Sequence, residues 1–358
     1  MAVNVLQILE GLVAIPSLSR EEKAAADFVQ QTVESAGVYC NRSGDNVWFG
    51  IGEGDTCLLL NSHLDVVPPS QDHPYDPFTP TRVDGRLFGR GSVDAKASGS
   101  AMTAAVLQLA AEGWRPEGGR VVVALTTCEE LGGGYNGLED TRPKLPRVSS
   151  AIVGEPTHLQ PCIAQKGLLI LRVDCRGRSA HAARSAEGIN AIEIAARDIL
   201  AAQSMTFEKA DPYLGPVTST VTVVEGGTAR NVVPDLCKFW IDVRSTPVYT
   251  HEELTALFSD TLEGEVNVHS DRFHPVSTES DTDIVESVLR AGTTLGREMK
   301  PFGSPTMSDW IFLRDVPCVK LGPGDSNLSH TGRESIELAE VEAGVEVYKE
   351  TIRAYFRR

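Results

Sequence analysis

No two of the seven cysteines stand as C-x-x-C; odd in number and scattered from Cys40 to Cys318, they argue against a disulfide framework and suit reduced, mostly buried thiols in a cytoplasmic protein. Positive charge is also short. Against 49 Asp and Glu there are 33 Lys and Arg, a formal charge of −16. Such a chain repels phosphate backbones and anionic lipid, which excludes nucleic acid and bilayer surfaces as partners, while local clusters of carboxylates attract divalent cations. No apolar run approaches the ~18 residues of a membrane span. The N-terminus has no basic region ahead of its apolar residues and meets Pro16 early, unlike a signal peptide. There is no internal repeat and no low-complexity segment. What remains is ordinary globular composition, 41% hydrophobic and 23% charged over 358 residues, enough for about two domains.

The stretch VVVALTTCEE, Val121 to Glu130, begins as a β-branched run of the kind buried on both faces and stops at two adjacent carboxylates, Glu129 and Glu130. Alone, the pair reads as readily as the solvated start of a helix. Other strand exits repeat the arrangement. Thr56 to Leu60 runs into NSHLDVVP, where His63 and Asp65, two apart, share one face of an extended chain; His63 could be a ligand oriented by Asp65, or a structural histidine beside a turn. Ala151 to Val153 ends at Glu155, and Val316 to Leu321 leads through GPGDSNLSHTG to His330. Asp94 lies in the glycine-framed loop FGRGSVDAKA, ahead of a helix from Ala95 to Glu112 that it could simply cap. At the N-terminus a helix ends near Pro16, and Ser19 with Glu22 spells an S-x-x-E capping box for a second helix reaching Ala36.

Two imidazoles and three carboxylates with a further Glu beside them suit a two-metal hydrolase, and N/O donors without thiolate are typical of catalytic zinc. Two ions need a short shared ligand, for which Asp94 is the natural candidate. His63 and Glu155 then fall to one ion, Glu130 and His330 to the other. If Glu129 and Glu130 open a helix, their side chains diverge by about 100° and can take different roles, though spacing alone does not say which binds metal and which moves a proton.

Between Leu168 and His269 the pattern changes to strand, helix, strand, strand, helix, strand, the β-α-β-β-α-β order of a ferredoxin-like unit. The expected organisation is a catalytic domain in two parts, residues 1–166 and 274–358, with an insert at 167–273.

SHLDVVP, FGRGSVDAKA, TTCEE, VGEPT, SAHAARSAEGINAI, GGTARNVVP, DVRSTP and GPGDSNLSHTGRE, in that order and across essentially the whole chain, resemble the M20 metallopeptidases and deacylases. VGEPT, FGSPTMSD and VKLGPGDS followed by SHT look most like acetylornithine or N-succinylornithine deacetylases. The resemblance implies an α/β fold, a mixed-sheet zinc-exopeptidase-like catalytic domain carrying the ferredoxin-like insert as a lid and dimerisation domain. It implies a cytoplasmic homodimer, two Zn²⁺ with Co²⁺ as a substitute, and a small-molecule N-acyl amino acid as substrate. The reaction expected is release of acetate from N²-acetylornithine in arginine biosynthesis; the alternatives are N-succinylornithine or succinyl-diaminopimelate, then a dipeptidase, aminoacylase or metal-dead homologue.

The resemblance also orders the carboxylates, Glu129 as base and Glu130 as ligand, and makes Asp65 the orienter of His63. In the lid, His181 matches an oxyanion donor that acts across a dimer, while Asn231 and Arg244 match substrate contacts, Arg244 on an α-carboxylate. The same three could instead cap a helix, make a turn and pair with Asp242. Asp309 could receive a distal ammonium or cap the helix that follows. Ala97 in place of a usual glycine and Gly332 in place of a frequent proline depart from the pattern without removing a ligand.

Overall fold

The β-branched run at Val121 lies in a strand, Gly119–Thr126, flanked on one side by a parallel strand, Thr56–His63, and on the other by an antiparallel one, Asn46–Gly52. The structure is a computed structural model that describes residues 3–357. Its chain divides into two units, one comprising 1–163, 278–302 and 308–358, the other 164–277 with 303–307.

In the first unit the strand order is Cys40–Ser43, Asn46–Gly52, Gly119–Thr126, Thr56–His63, Ser150–Val153, Cys318–Lys320. The last four are mutually parallel and the first two join antiparallel, so the sheet is mixed. Leu58, Leu59 and Leu60 are fully buried on consecutive positions, which alternation cannot produce and only a sheet covered on both faces allows. Helix Lys96–Ala111 packs on Leu338–Phe356 and Val5–Val13 and is buried almost all round; its Ala, Gly and Ser residues permit that closeness. Because the four strands are parallel, their carboxyl ends fall on one edge, where α/β sheets place their ligands.

In the second unit four antiparallel strands stand in the order Thr218–Gly226, Leu236–Ser245, Gly167–Arg176, Glu265–Phe273, joined by helices Ala191–Ser204 and His251–Thr261. In chain order this is the ferredoxin-like arrangement. Cys237, Phe239, Ile241 and Val243, every second residue of one strand, are buried with Leu169, Leu171, Val173, Ile194 and Phe258 in a core of the unit's own. All seven cysteines are buried and outside any disulfide. Among the described residues no helix is long and apolar enough to cross a membrane.

Candidate metal centre

The parallel register puts His63, the last residue of its strand, opposite Thr126, and Asn61 opposite Val153. Three chain exits therefore leave the sheet side by side, carrying His63, Glu129 with Glu130, and Glu155. His63 is 2% exposed, and its Nδ1 meets the Asp65 carbonyl at 2.9 Å. A carbonyl only accepts, so Nδ1 carries a proton and Nε2 is left to face elsewhere. Nε2 is buried without a hydrogen-bond partner, 3.4 Å from Asp94 Oδ1 and 3.9 Å from Glu155 Oε1. The other Asp94 oxygen lies 3.4 Å from His330 Nε2, which is 3.0 Å from Glu130 Oε2. Asp94 thus stands between two imidazoles, one oxygen toward each, and donor atoms of His63, Asp94 and Glu130 lie within 4.8 Å of one another.

Electrostatics shows what such a cluster lacks. Burial, with crowding by neighbouring carboxylates, pushes Glu129 well above the usual range, raises Glu130 and pushes Glu155 up to about 8. Hydrogen bonds to Asp94 and Glu130 push the His330 imidazole up to about 10. Burial works to raise Asp94 too, but the imidazoles of His330 and His63 overcome it and hold that carboxyl below its ordinary value. The site holds more buried carboxyl groups than its own imidazoles can balance as anions. Together with the orphaned Nε2 and a donor set of nitrogen and oxygen alone, this fits divalent cations, whose binding displaces protons from such groups.

The supports differ from the sequence expectation in three places. Ser19 and Glu22 make no capping box: Glu22 forms no side-chain cap, Ser19 Oγ donates to Asp65 Oδ2 at 2.7 Å, and Glu22 Oε1 accepts the Cys128 N–H at 3.0 Å. The motif is spent on the site because those buried acceptors need donors. Glu129 and Glu130 open no helix; the next one is Gly137–Thr141. Their backbone N–H groups instead donate to the two oxygens of Asp65, both at 3.1 Å, so Asp65 fixes the carboxylate pair as well as the His63 segment. Nor does Asp94 cap the helix beginning at Lys96, which has no side-chain cap. Lys96, fully buried, donates to the carbonyls of Leu12 and Ile15, both at 2.9 Å, at the end of the first helix.

Asp309 belongs to the same unit. It is 2% exposed, and its carboxylate accepts Asn136 Nδ2 at 2.7 Å and lies 3.3 Å from Thr126 Oγ1. Burial pushes it up to about 6. The cap of the short turn that follows is Ser308, so the capping alternative for Asp309 does not hold.

In the second unit, His181 pairs opposite Val232, and the Ala182 N–H donates to the Asn231 carbonyl at 2.9 Å. His181 Nδ1 accepts the N–H of Ala183 at 3.1 Å, capping a 3₁₀ turn and leaving the imidazole exposed. Asn231 is exposed beside it. Arg244 forks onto Asp242, at 2.8 and 3.1 Å.

The family model of peptidase family M20/M25/M40 matches residues 59–354. A succinyl-diaminopimelate desuccinylase of Wolbachia pipientis is 26% identical over 99% of this chain and 94% of its own, and one of Bordetella parapertussis 26% over 98% of each. An M20 domain-containing protein of Schizosaccharomyces pombe is 27% identical over 98% of this chain and 84% of its own. Among solved structures, the aminopeptidase PepT of Bacillus cereus superimposes with a TM-score of 0.81 at 20% identity, covering 99% of this chain and 100% of that one. The Bacillus subtilis YXEP protein, described as a dinuclear metal binding peptidase of the M20 family, gives 0.77 at 15%, covering 98% and 96%. The fold expectation and the family resemblance both hold, whereas the two desuccinylases carry a name that stood only as an alternative to acetylornithine deacetylase. This chain belongs to peptidase family M20/M25/M40, the metal-dependent hydrolases that act on amide bonds.

Proposed function

We propose that this enzyme removes the acyl group from an N-acyl amino acid, with N-succinyl-diaminopimelate ahead of N²-acetylornithine and N²-succinylornithine. The observation that carries the chemistry is the Asp94 carboxylate between two imidazoles, beside a buried, unpartnered His63 Nε2. Desuccinylases align with almost the full chain, which supports the first substrate. The motifs VGEPT and VKLGPGDS support the ornithine derivatives.

On this reading His63 and Glu155 hold one Zn²⁺, Glu130 and His330 the other, and Asp94 is shared; Co²⁺ substitutes. Bound cations would supply the Lewis acidity that activates a water and the amide carbonyl. Glu129 takes the proton from that water as its oxygen attacks the carbonyl carbon. The carboxyl then returns the proton to nitrogen as the C–N bond breaks, and the released acid yields its remaining proton to the amine, giving a carboxylate and an ammonium. Asp65 holds the backbone of Glu129 and Glu130 and so keeps base and ligand in register.

His181 donates to the developing oxyanion from a second copy of the chain, Asn231 contacts substrate, and Arg244 turns from Asp242 to the substrate carboxylate, which a guanidinium fork matches equally well. A homodimer is supported by one edge strand of the second unit, Thr218–Gly226, where Val223 and Val224 are 47% and 58% exposed. Asp309, with both oxygens already engaged, places negative charge near Glu129 and offers an ammonium only a displaceable position.

One side-by-side measurement of kcat/KM on N-succinyl-diaminopimelate, N²-acetylornithine and N²-succinylornithine tests the substrate. The desuccinylase reading expects the first to exceed the others by about tenfold or more, and is lost if an ornithine derivative leads. Asp309→Asn, run on the same panel, should lower all three rates together; loss confined to substrates with a distal ammonium would restore direct contact.

A further inference from the structure

The segment that carries His330 has a second attachment to the site. Glu334, four positions on, is 1% exposed and its carboxylate is fully engaged. Oε1 accepts the backbone N–H of Val93 at 3.0 Å and that of Asp94 at 3.2 Å, and Oε2 accepts Arg90 Nη1 at 2.6 Å. The Glu334 carbonyl also accepts the N–H of Gly89 at 3.4 Å. Immediately after it, Ser335–Glu337 pairs antiparallel with Arg86–Phe88, Ser335 opposite Phe88. The loops bearing Asp94 and His330, far apart in sequence, are thus joined by one side chain that grips the backbone nitrogen of Asp94 itself.

A purely stabilising ion pair would be built differently. Buried pairs of this kind contribute little net stability compared with apolar residues of the same volume. Here Arg90 keeps Nε and Nη2 buried without hydrogen-bond partners, so the pair is not arranged to satisfy the guanidinium. What only a carboxylate or amide oxygen can do at this position is accept two N–H groups of a loop that has no strand or helix partner there.

We propose that Glu334 is a positioning residue, a latch that fixes Asp94 relative to His330 and so sets the affinity for the cation held by Glu130 and His330; this rests on the two-cation reading above. Asp94 is common to both cations, but the first keeps His63, held by the Asp65 carbonyl, and Glu155, whereas the second depends on the Glu334 segment through both Asp94 and His330, so the two respond unequally to its loss.

The test is zinc binding by the full chain, stripped with a chelator and titrated against a metal indicator, with the visible spectrum of the Co²⁺ form as a second readout. In Glu334→Ala, affinity for one of the two ions should fall about 10–100-fold and its Co²⁺ bands should shift, while the other stays within about threefold of wild type. A combined Glu334→Gln and Arg90→Met variant keeps an oxygen for both N–H groups and strands no guanidinium, and should bind both ions within about threefold of wild type. Wild-type affinity for both ions in folded Glu334→Ala overturns the latch, and so does a 10–100-fold loss in the combined variant, which decides alone should Glu334→Ala not fold. A wild type that binds only one ion overturns the two-cation reading and, with it, the latch.

Discussion

His63 and His181 are assigned by one family pattern to one reaction, yet their surroundings differ in kind. His63 ends a core strand, is 2% exposed, and has one nitrogen tied to a carbonyl and the other aimed into a cluster of carboxylates. His181 lies on a two-residue strand, is exposed, and is held by a single bond from the N–H two residues on. The same contrast separates Asp94, Glu130 and Glu155 in the first unit from Asn231 and Arg244 in the second. Metal ligands must be in place before anything binds, since each must present a lone pair at a fixed distance and pre-set geometry avoids reordering on binding. Residues that meet a substrate need only be within reach, and a local bond such as Arg244 to Asp242 can be exchanged for an equivalent one.

The largest effect should come from breaking the contrast inside the first unit, where adjacent residues are proposed to take different roles. Glu129→Gln removes the proton acceptor while keeping the shape, so kcat should fall by about 10³-fold or more with zinc content unchanged. Glu130→Gln should lower zinc affinity as well, because an amide is a poorer ligand than a carboxylate. Metal analysis beside turnover separates them; a Glu129→Gln enzyme that retained most of its activity would move the base elsewhere.

Next in size is the exposed histidine. His181→Ala should lower kcat by about 10²-fold, the scale of one lost oxyanion donor, and leave zinc affinity untouched. Mixed with a Glu129→Gln enzyme it should regain activity, since hybrid dimers would pair an intact metal site with an intact His181. Failure to regain any would remove the cross-subunit role and place His181 with the substrate of its own chain, or outside the reaction.

The same contrast explains what was legible in the sequence. Side chains delivered beyond strand ends follow from an apolar run and the residue that stops it, so the convergence of His63, Glu129, Glu130, Glu155 and His330 could be read without coordinates. So could the ferredoxin-like unit, whose two central strands alternate and whose second helix opens on Thr250 and Glu253 with the capping box their spacing spells. Ser19 and Glu22 carry a motif with the same meaning and do something else, because Asp65 and the Cys128 N–H, more than 40 residues away, compete for them and win by being buried. Arg90, Lys96 and Glu334 left no periodic signal, since Lys96 and Glu334 meet backbone groups of distant segments and Arg90 meets the Glu334 carboxylate. Buried charge inside a glycine-framed motif was the one available hint.

The smallest effect sits far from the chemistry. In the second unit His251 is 3% exposed, its Nε2 lies 2.8 Å from Ser245 Oγ, its Nδ1 has no hydrogen-bond partner, and it stacks on His274 with ring centroids 4.4 Å apart. Burial, and then the neighbouring His274, push its pKa down to about 4, against the partial pull of Asp271 and Glu252. The unfolded chain takes up this proton near pH 6.5 and the folded chain only near pH 4. The contribution is therefore complete above about pH 6.5 and drains away as pH falls toward 4, on the order of 1–3 kcal/mol at most. His251→Gln removes the titration and keeps a polar group for Ser245. Denaturation midpoints of the two proteins should hold a constant offset at neutral pH and converge between pH 6 and 4, as the wild type alone loses stability to this group. An offset that stayed constant to pH 4 would mean that His251 is protonated in the fold and that the acid sensitivity of this unit lies elsewhere.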